Sequence, residues 1–116
     1  QAFPGSVSVD AVSWYKGNSF SRTHPVQRKG ENGYELHDMS GNVWEWVWDW
    51  YNGAYNPTYS SVVAVDPLST KPSDARVQRG GSWKHDPSRL RIANRGSAPP
   101  GDRSDDCGLR LARTAP

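Results

Sequence analysis

The chain has 116 residues, of which 34% are hydrophobic, and its 14 Lys and Arg against 12 Asp and Glu give a formal net charge of +2 at pH 7. A chain of this length forms one domain with a thin core. No apolar run approaches the roughly 20 residues that span a bilayer, and the basic residues are dispersed among acidic ones. We therefore expect neither membrane insertion nor a nucleic-acid partner. The single cysteine, Cys107, excludes an internal disulfide and a cysteine-based zinc site.

The N-terminal third predicts little regular structure. Residues 1–10 are expected to be extended, and residues 11–20 fit a single helical turn or a loop equally well. The residue before Pro25 is pushed out of the helical region, so residues 23–26 are predicted to be extended. A polar turn is expected at residues 29–33.

The most distinctive stretch follows at residues 38–51, where tryptophan occupies every second position from 44 to 50. In a β-strand this period places on one face Trp44, Trp46, Trp48 and Trp50. Each indole can remove roughly 150–250 Å² from water, so we expect these four side chains to form the core around a central strand. The Ser-Gly-Asn at residues 40–42 predicts a tight corner, because Gly and Asn tolerate the backbone conformations that a corner needs.

The C-terminal half predicts a long loop followed by short strands. Residues 52–74 show no stable period, apart from one short strand predicted at residues 61–65, and loops of this length tend to be functional or mobile. Further strands are predicted at residues 76–83, 90–95 and 108–113. The first of these contains two glycines, which indicates that its backbone passes close to another element.

Three blocks of sequence carry a resemblance to a known family. They are NGYELHDMSGNVWEW at residues 32–46, RGGSW at 79–83 and GLRLA at 108–112. In this order and spacing they resemble the formylglycine-generating-enzyme/sulfatase-modifying-factor family, whose fold is a variant of the C-type lectin fold. The resemblance implies a single α+β domain over residues 1–116, loop-rich, with short antiparallel strands and one or two short helices. Catalytic members of the family are about twice as long, so the chain resembles their C-terminal half.

The resemblance does not extend to the catalytic groups of the family. Its enzymes carry two copper-binding cysteines just after the Arg-Gly-Gly-Ser block, and the matching positions here are His85 and Leu90. Thiolates are the soft ligands that hold monovalent copper, and leucine cannot replace one. The related iron-dependent sulfoxide synthases carry a Trp-Asp pair where this chain has Ser97 and Ala98. We therefore expect no catalytic residues and no enzyme activity.

The resemblance favours a ligand-binding branch of the family instead. Members without those catalytic residues include the variable proteins of diversity-generating retroelements, which display a hypermutated surface on the C-type lectin fold. Within residues 79–112, the stretch from Trp83 to Cys107 resembles such a variable region, with fixed positions separated by clusters of interchangeable ones. The candidate ligand-binding residues in these clusters are His85, Asp86, Ser88, Arg89, Gly96, Ser97, Ala98, Ser104, Asp105 and Asp106. Randomised adenines in asparagine codons yield these residue types but never Lys, so Lys84 is expected to be fixed.

The first hypothesis is therefore a non-enzymatic domain that binds a protein or another surface ligand. One alternative is a truncated or degenerate relative of the oxidases that binds a peptide without modifying it. Another is a structural domain of a virion or cell surface. The sequence identifies no compartment, although these functions favour a virion or cell surface over the cytoplasm.

None of these functions requires a cofactor, but the resemblance also implies a calcium site beside the tryptophan strand. Its ligands would be the side chains of Asp38 and Glu45 and the backbone carbonyls of Gly41 and Val43. Hard carboxylate and carbonyl oxygens are the ligands that calcium requires. The residues leave open that Glu45 pairs with a buried arginine, such as Arg79 or Arg110, and that no metal binds.

Overall fold

The computed structural model describes residues 2–52 and 72–113. Its regular elements are α1 (Val9–Val12), β1 (Trp44–Trp50), β2 (Arg76–Arg79), a 3-10 helix (Pro87–Arg89), β3 (Arg95–Ala98) and β4 (Cys107–Gly108). Everything else in the described part is loop, turn or isolated bridge. The expected loop-rich α+β fold with short strands and short helices is confirmed. Among the described residues, no helix has the length and apolar character needed to cross a bilayer.

The four strands form one sheet in the order β3-β2-β1-β4, so the tryptophan strand lies inside the sheet as predicted. β1 and β2 are antiparallel, and so are β2 and β3. β4 pairs with β1 in parallel, which the expectation of antiparallel strands did not include. The register of β1 on β2 shifts between Trp46 and Trp50, which marks a bulge in the tryptophan strand.

The four tryptophans do not share one environment, so the prediction that together they form the core is wrong. Trp44 is 7% exposed, whereas Trp48 is 74% exposed. Trp46 and Trp50 are half-buried, and the Arg76 guanidinium lies 3.7 Å from the centre of the Trp50 ring. The bulge breaks the strict alternation of faces, and burial along β1 falls from Trp44 to the exposed Val47 and Trp48 and increases again at Trp50. The buried hydrophobic side chains of the described part are Val12, Trp44, Val77 and Leu90.

Several predicted strands have other boundaries in the structure. The strand predicted at residues 90–95 is wrong, because residues 91–94 form a turn and β3 begins only at Arg95. β2 ends at Arg79, and the last strand is confined to Cys107–Gly108. Part of the extended entry segment forms α1 instead. The strand predicted at residues 61–65 lies outside the described residues.

The predicted corner before β1 is present at residues 40–42. Gly41 and Asn42 have positive φ angles of 78° and 63°. A side chain on Gly41 would overlap the Ser13 hydroxyl and the Trp14 carbonyl oxygen. The Gly41 N–H donates to the Gly80 carbonyl over 2.7 Å, and the Trp83 N–H donates to the Asn42 carbonyl over 2.9 Å. The corner therefore joins the N-terminal loop, β1 and the segment after β2.

Replacing tryptophans one at a time should separate the core from the surface. Trp44→Ala is expected to lower the free energy of unfolding by about 3–5 kcal/mol, because it leaves a cavity beneath a thin sheet. Trp48→Ala should change it by no more than about 0.5 kcal/mol, because the side chain is mostly in water. Urea denaturation followed by circular dichroism measures both values. Equal destabilisation by the two substitutions would contradict the assignment.

Candidate ligand-binding surface

Two of the candidate clusters, at residues 85–86 and 104–106, are separated by residues 87–103 in sequence and lie side by side in the structure. Lys84 Nζ forms an ion pair with Asp105 Oδ1. The Trp83 indole N–H donates to the Asp105 carbonyl over 3.3 Å, and His85 Nε2 lies 3.7 Å from Asp106 Oδ2. The 3-10 helix follows this contact directly and carries the next cluster. The loop after β2 and the loop before β4 thus form one continuous surface.

The cluster at residues 96–98 lies on β3 and is linked to the cluster at residues 85–86 through Trp44. The His85 ring meets the Trp44 ring edge to face, with centroids 5.5 Å apart. Gly96 of β3 packs against the same indole, and a Cβ atom placed on Gly96 would lie 3.0 Å from it. Trp44 therefore underlies both clusters. Gly96 is unsuited to interchange, because a larger side chain there would press on a buried ring.

Asp106 belongs to the scaffold rather than to the exposed surface. Its side chain is buried, and Oδ2 accepts a hydrogen bond from the Ser82 hydroxyl over 2.9 Å. Oδ1 accepts from the Ser104 hydroxyl, and the Asp106 carbonyl accepts from the Trp44 N–H over 2.6 Å. Burial by itself would raise the pKa of the Asp106 carboxyl, but the hydrogen bonds from Ser104 and Ser82 outweigh it and lower the pKa. The structure thus corrects the sequence-based placement of Asp106 among surface residues.

The remaining candidates are exposed or half-buried, and we refer to them as the candidate surface. They are His85, Asp86, Ser88, Arg89, Ser97, Ala98, Ser104 and Asp105. Sequence reasoning missed Ser82, a fully buried hydroxyl whose bond to Asp106 supports this surface. Its only signal was its place in the Arg-Gly-Gly-Ser block. Lys84, which was expected to be fixed, contributes through its ion pair with Asp105.

The candidate calcium ligands gather around one cavity of about 350 Å³, lined among others by Asp38, Gly41, Val43 and Glu45. Arg110 also lines this cavity and donates hydrogen bonds to both carboxylate oxygens of Glu45. The distances from Nε to Oε1 and from Nη2 to Oε2 are both 3.0 Å. Arg110 Nη2 also donates to the Asp38 carbonyl over 3.1 Å. The hydrogen bond with Glu45 raises the pKa of Arg110 above its ordinary value. This is the arginine pairing that the sequence left open.

Calcium therefore fits this cavity poorly while Arg110 is in place. Asp38 Oδ1 is buried and has no hydrogen-bond partner among the described residues, which is the one feature that favours a cation. Asp38 Oδ2 already accepts the Gln27 N–H over 2.8 Å. Residues 2–52 and 72–113 hold no cluster of three or more His, Cys, Asp or Glu suited to a metal. Calcium takes about six to eight oxygens, and the guanidinium occupies those of Glu45.

A calcium titration should show whether Arg110 supplies the positive charge here. Adding about 1 mM calcium chloride to EDTA-treated protein is expected to move the melting temperature by less than about 1 °C, because only a ligand that binds the folded state raises it. Differential scanning fluorimetry gives the value. A rise of several degrees that Asp38→Asn abolishes would show instead that calcium displaces Arg110 from Glu45.

His85 should make the stability of this surface depend on pH. Burial lowers the pKa of His85 below its ordinary value of 6.5, and Arg89 and Lys84 act in the same direction while Asp106 and Asp86 oppose them. As the pH falls through about 6.5, the unfolded chain takes up a proton on this ring before the folded chain does, so stability falls. Melting temperatures should drop between about pH 7.5 and 5.5, and less steeply for His85→Gln. Identical slopes would contradict this.

Comparison with known proteins places the chain in a family. A family model described as the sulfatase-modifying factor enzyme 1-like domain matches residues 2–115. The chain belongs to this family. The formylglycine-generating enzyme of Thermomonospora curvata is 35% identical over 98 residues, which cover 82% of this chain and 32% of the enzyme. That of Streptomyces coelicolor is 41% identical over 97 residues, which cover 80% of this chain and 30% of the enzyme.

A solved member of the same fold gives the structural counterpart. Treponema denticola variable protein 1 superposes with a TM-score of 0.80 at 33% sequence identity, over 90% of this chain and 38% of that protein. The chain thus spans about a third of the length of the two enzymes and somewhat more of the variable protein. The sulfatase-modifying-factor resemblance and the fold inferred from it are confirmed.

Proposed function

We propose that this domain binds a protein or another surface ligand without catalysing a reaction, and that the candidate surface makes the contact. The observation that carries the proposal is the structural likeness to Treponema denticola variable protein 1 across almost the whole chain. In this proposal the domain is a variable protein of a diversity-generating retroelement, and the candidate surface holds its interchangeable residues.

The way in which the candidate surface is supported agrees with this role. The loop around His85 is held by its main chain, since the His85 carbonyl accepts the Lys16 N–H over 3.0 Å and its N–H donates to the Ser82 carbonyl over 3.1 Å. The 3-10 helix is closed by the Arg89 N–H on the Asp86 carbonyl over 3.0 Å. Ser97 is held by the backbone pairing of β3 with β2. Backbone hydrogen bonds persist when side chains change, so this surface suits variation.

The residues at the two positions that match the copper-binding cysteines of the family's enzymes support a function without catalysis. Leu90 is fully buried, and its carbonyl accepts the Ser40 hydroxyl over 2.7 Å, so this position serves the scaffold. At the other position, the His85 ring packs edge to face against the Trp44 ring. The thiol of Cys107 lies on β4, where burial raises its pKa and the Gln78 amide lies 3.0 Å from the sulfur. Tight, stoichiometric binding of monovalent copper would contradict this reading.

The identity to formylglycine-generating enzymes favours a second candidate function. In that case the domain binds a peptide without modifying it, and its binding residues do not vary. The two functions predict different patterns of natural variation.

Sequencing the coding segment for residues 79–112 from many cells of one population tests the proposal. We expect substitutions to concentrate in the candidate surface, at adenines, with a near-identical template copy beside a reverse transcriptase gene. The codons of Ser82, Leu90 and Asp106 should not vary, because their side chains are buried and bonded. Variation spread evenly over the segment, or no variation at all, would sink the retroelement proposal and leave the peptide-binding alternative.

A matched pair of variants tests the same division by stability. Replacing Asp86, Ser88 and Arg89 together by Ala should leave the melting temperature nearly unchanged, because exposed substitutions usually cost within about 0.5 kcal/mol each. Asp106→Ala should be clearly destabilising, because the buried Ser82 hydroxyl loses the acceptor of its hydrogen bond, at a cost of about 1–3 kcal/mol. Thermal denaturation compares the two. A triple variant that unfolds like Asp106→Ala would assign these residues to the scaffold.

A further inference from the structure

A groove lies beside β1, and none of its lining residues belongs to the candidate surface. One cavity of about 310 Å³ is lined by Arg79, Arg91 and Ile92, among others. A second, of about 600 Å³, is lined by Trp48, Arg76 and Pro100, among others. Trp46, Val47 and Arg110 line both cavities, so the two adjoin along β1. We call the two adjoining cavities the β1 groove.

The groove carries positive charge that the described residues do not neutralise. Arg79 and Arg95 are direct partners in the pairing of β2 with β3, and like charges opposite one another destabilise a sheet. Burial lowers the pKa of Arg79, and the positive charge of Arg95 lowers it further. The negative charge of Asp49 acts in the opposite direction but does not offset these two effects. Arg79 donates to the Ile92 carbonyl. Among residues 2–52 and 72–113, Arg79, Arg91 and Arg95 form no ion pair with a carboxylate.

The one carboxylate that lines the groove already accepts hydrogen bonds from an arginine. Glu45 lines the smaller cavity, but both of its oxygens bond to Arg110. Of the remaining guanidinium groups, that of Arg76 lies over the Trp48 and Trp50 rings. Those of Arg79 and Arg91 present forks of N–H donors that match the two oxygens of a carboxylate. An added carboxylate would relieve the repulsion between Arg79 and Arg95.

The groove is also lined by exposed apolar side chains, which favours a ligand larger than a small anion. Val47 is 37% exposed, Ile92 47% and Trp48 74%. A contiguous exposed apolar area with polar residues at its margin is typical of an interaction site. A small free anion would reach the arginines and leave these side chains in water, whereas a polypeptide covers both.

We propose that the β1 groove binds a polypeptide segment whose apolar side chains pack on Val47, Trp48 and Ile92 and whose carboxylate lies between Arg79 and Arg91. This second binding site shares no lining residue with the candidate surface, although Arg91 also lines a small cavity that contains Ser88. Its partner is recognised by an acidic side chain flanked by apolar ones.

Panning a phage-displayed library of random peptides on the full folded chain tests the proposal. Enriched peptides should carry Asp or Glu flanked by apolar residues. With the leading sequence made as a synthetic peptide, fluorescence anisotropy should show at least about tenfold weaker binding for Arg91→Gln and for the peptide with its acid changed to the amide. Arg79→Gln should weaken binding in the same way. Arg22→Gln, an exposed arginine outside both cavities, is the matched control and should bind unchanged.

Further controls separate the β1 groove from the candidate surface, and several results would overturn the proposal. The triple alanine variant at Asp86, Ser88 and Arg89 should bind the peptide normally, which separates this site from the proposed ligand surface. Because Arg79 is half-buried, its variant is interpreted only if its melting temperature is retained, whereas Arg91 is exposed and provides the test in either case. No enrichment, enrichment of peptides without acids, or binding that survives Arg91→Gln overturns the proposal. So does saturable binding of acetate as tight as that of the peptide, which would indicate a site for free anions.

Discussion

The tight corner at Gly41 and Asn42 is the constraint on which the rest of the structure depends. Two successive residues with positive φ reverse the chain just before β1, and the corner fits only because Gly41 has no side chain to meet Ser13. The Asn42 amide exchanges hydrogen bonds of 2.9 Å with both backbone groups of His24. Because few long apolar side chains are available for the core, this polar junction replaces much of the packing that a larger domain would use.

From this corner, β1 places Trp44 where the candidate surface can form around it. The indole meets His85 on one side and Gly96 on another, while the Trp44 N–H holds the Asp106 carbonyl. The scaffold therefore consists of one buried ring, main-chain hydrogen bonds and the buried hydrogen bond between Ser82 and Asp106. The side chains that face solvent contribute little to it, which is the physical requirement for a surface whose residues change.

The arginines of the sheet show how the same residue type serves opposite purposes. Arg110 is satisfied within the domain by the Glu45 carboxylate and two backbone carbonyls. Arg79 and Arg95 face each other without an ion pair in the described part of the chain. Like charges at paired positions of a sheet are unfavourable, and we propose that a partner supplies a carboxylate to this region.

Local chemistry was readable directly from the residues. The Ser-Gly-Asn corner, the tryptophan strand, the blocks that define the family and the replacement of its copper ligands by His85 and Leu90 all depend on residue type and short spacing. Burial cannot be predicted from residue type and short spacing. It depends on what covers each face of the sheet and on the strand register, which a bulge between Trp46 and Trp50 alters. Tertiary structure alone therefore decided that Trp48 is exposed, that Asp106 is buried and that Arg110 holds Glu45. Each of these depends on contacts between segments far apart in the chain, and such contacts leave no local pattern.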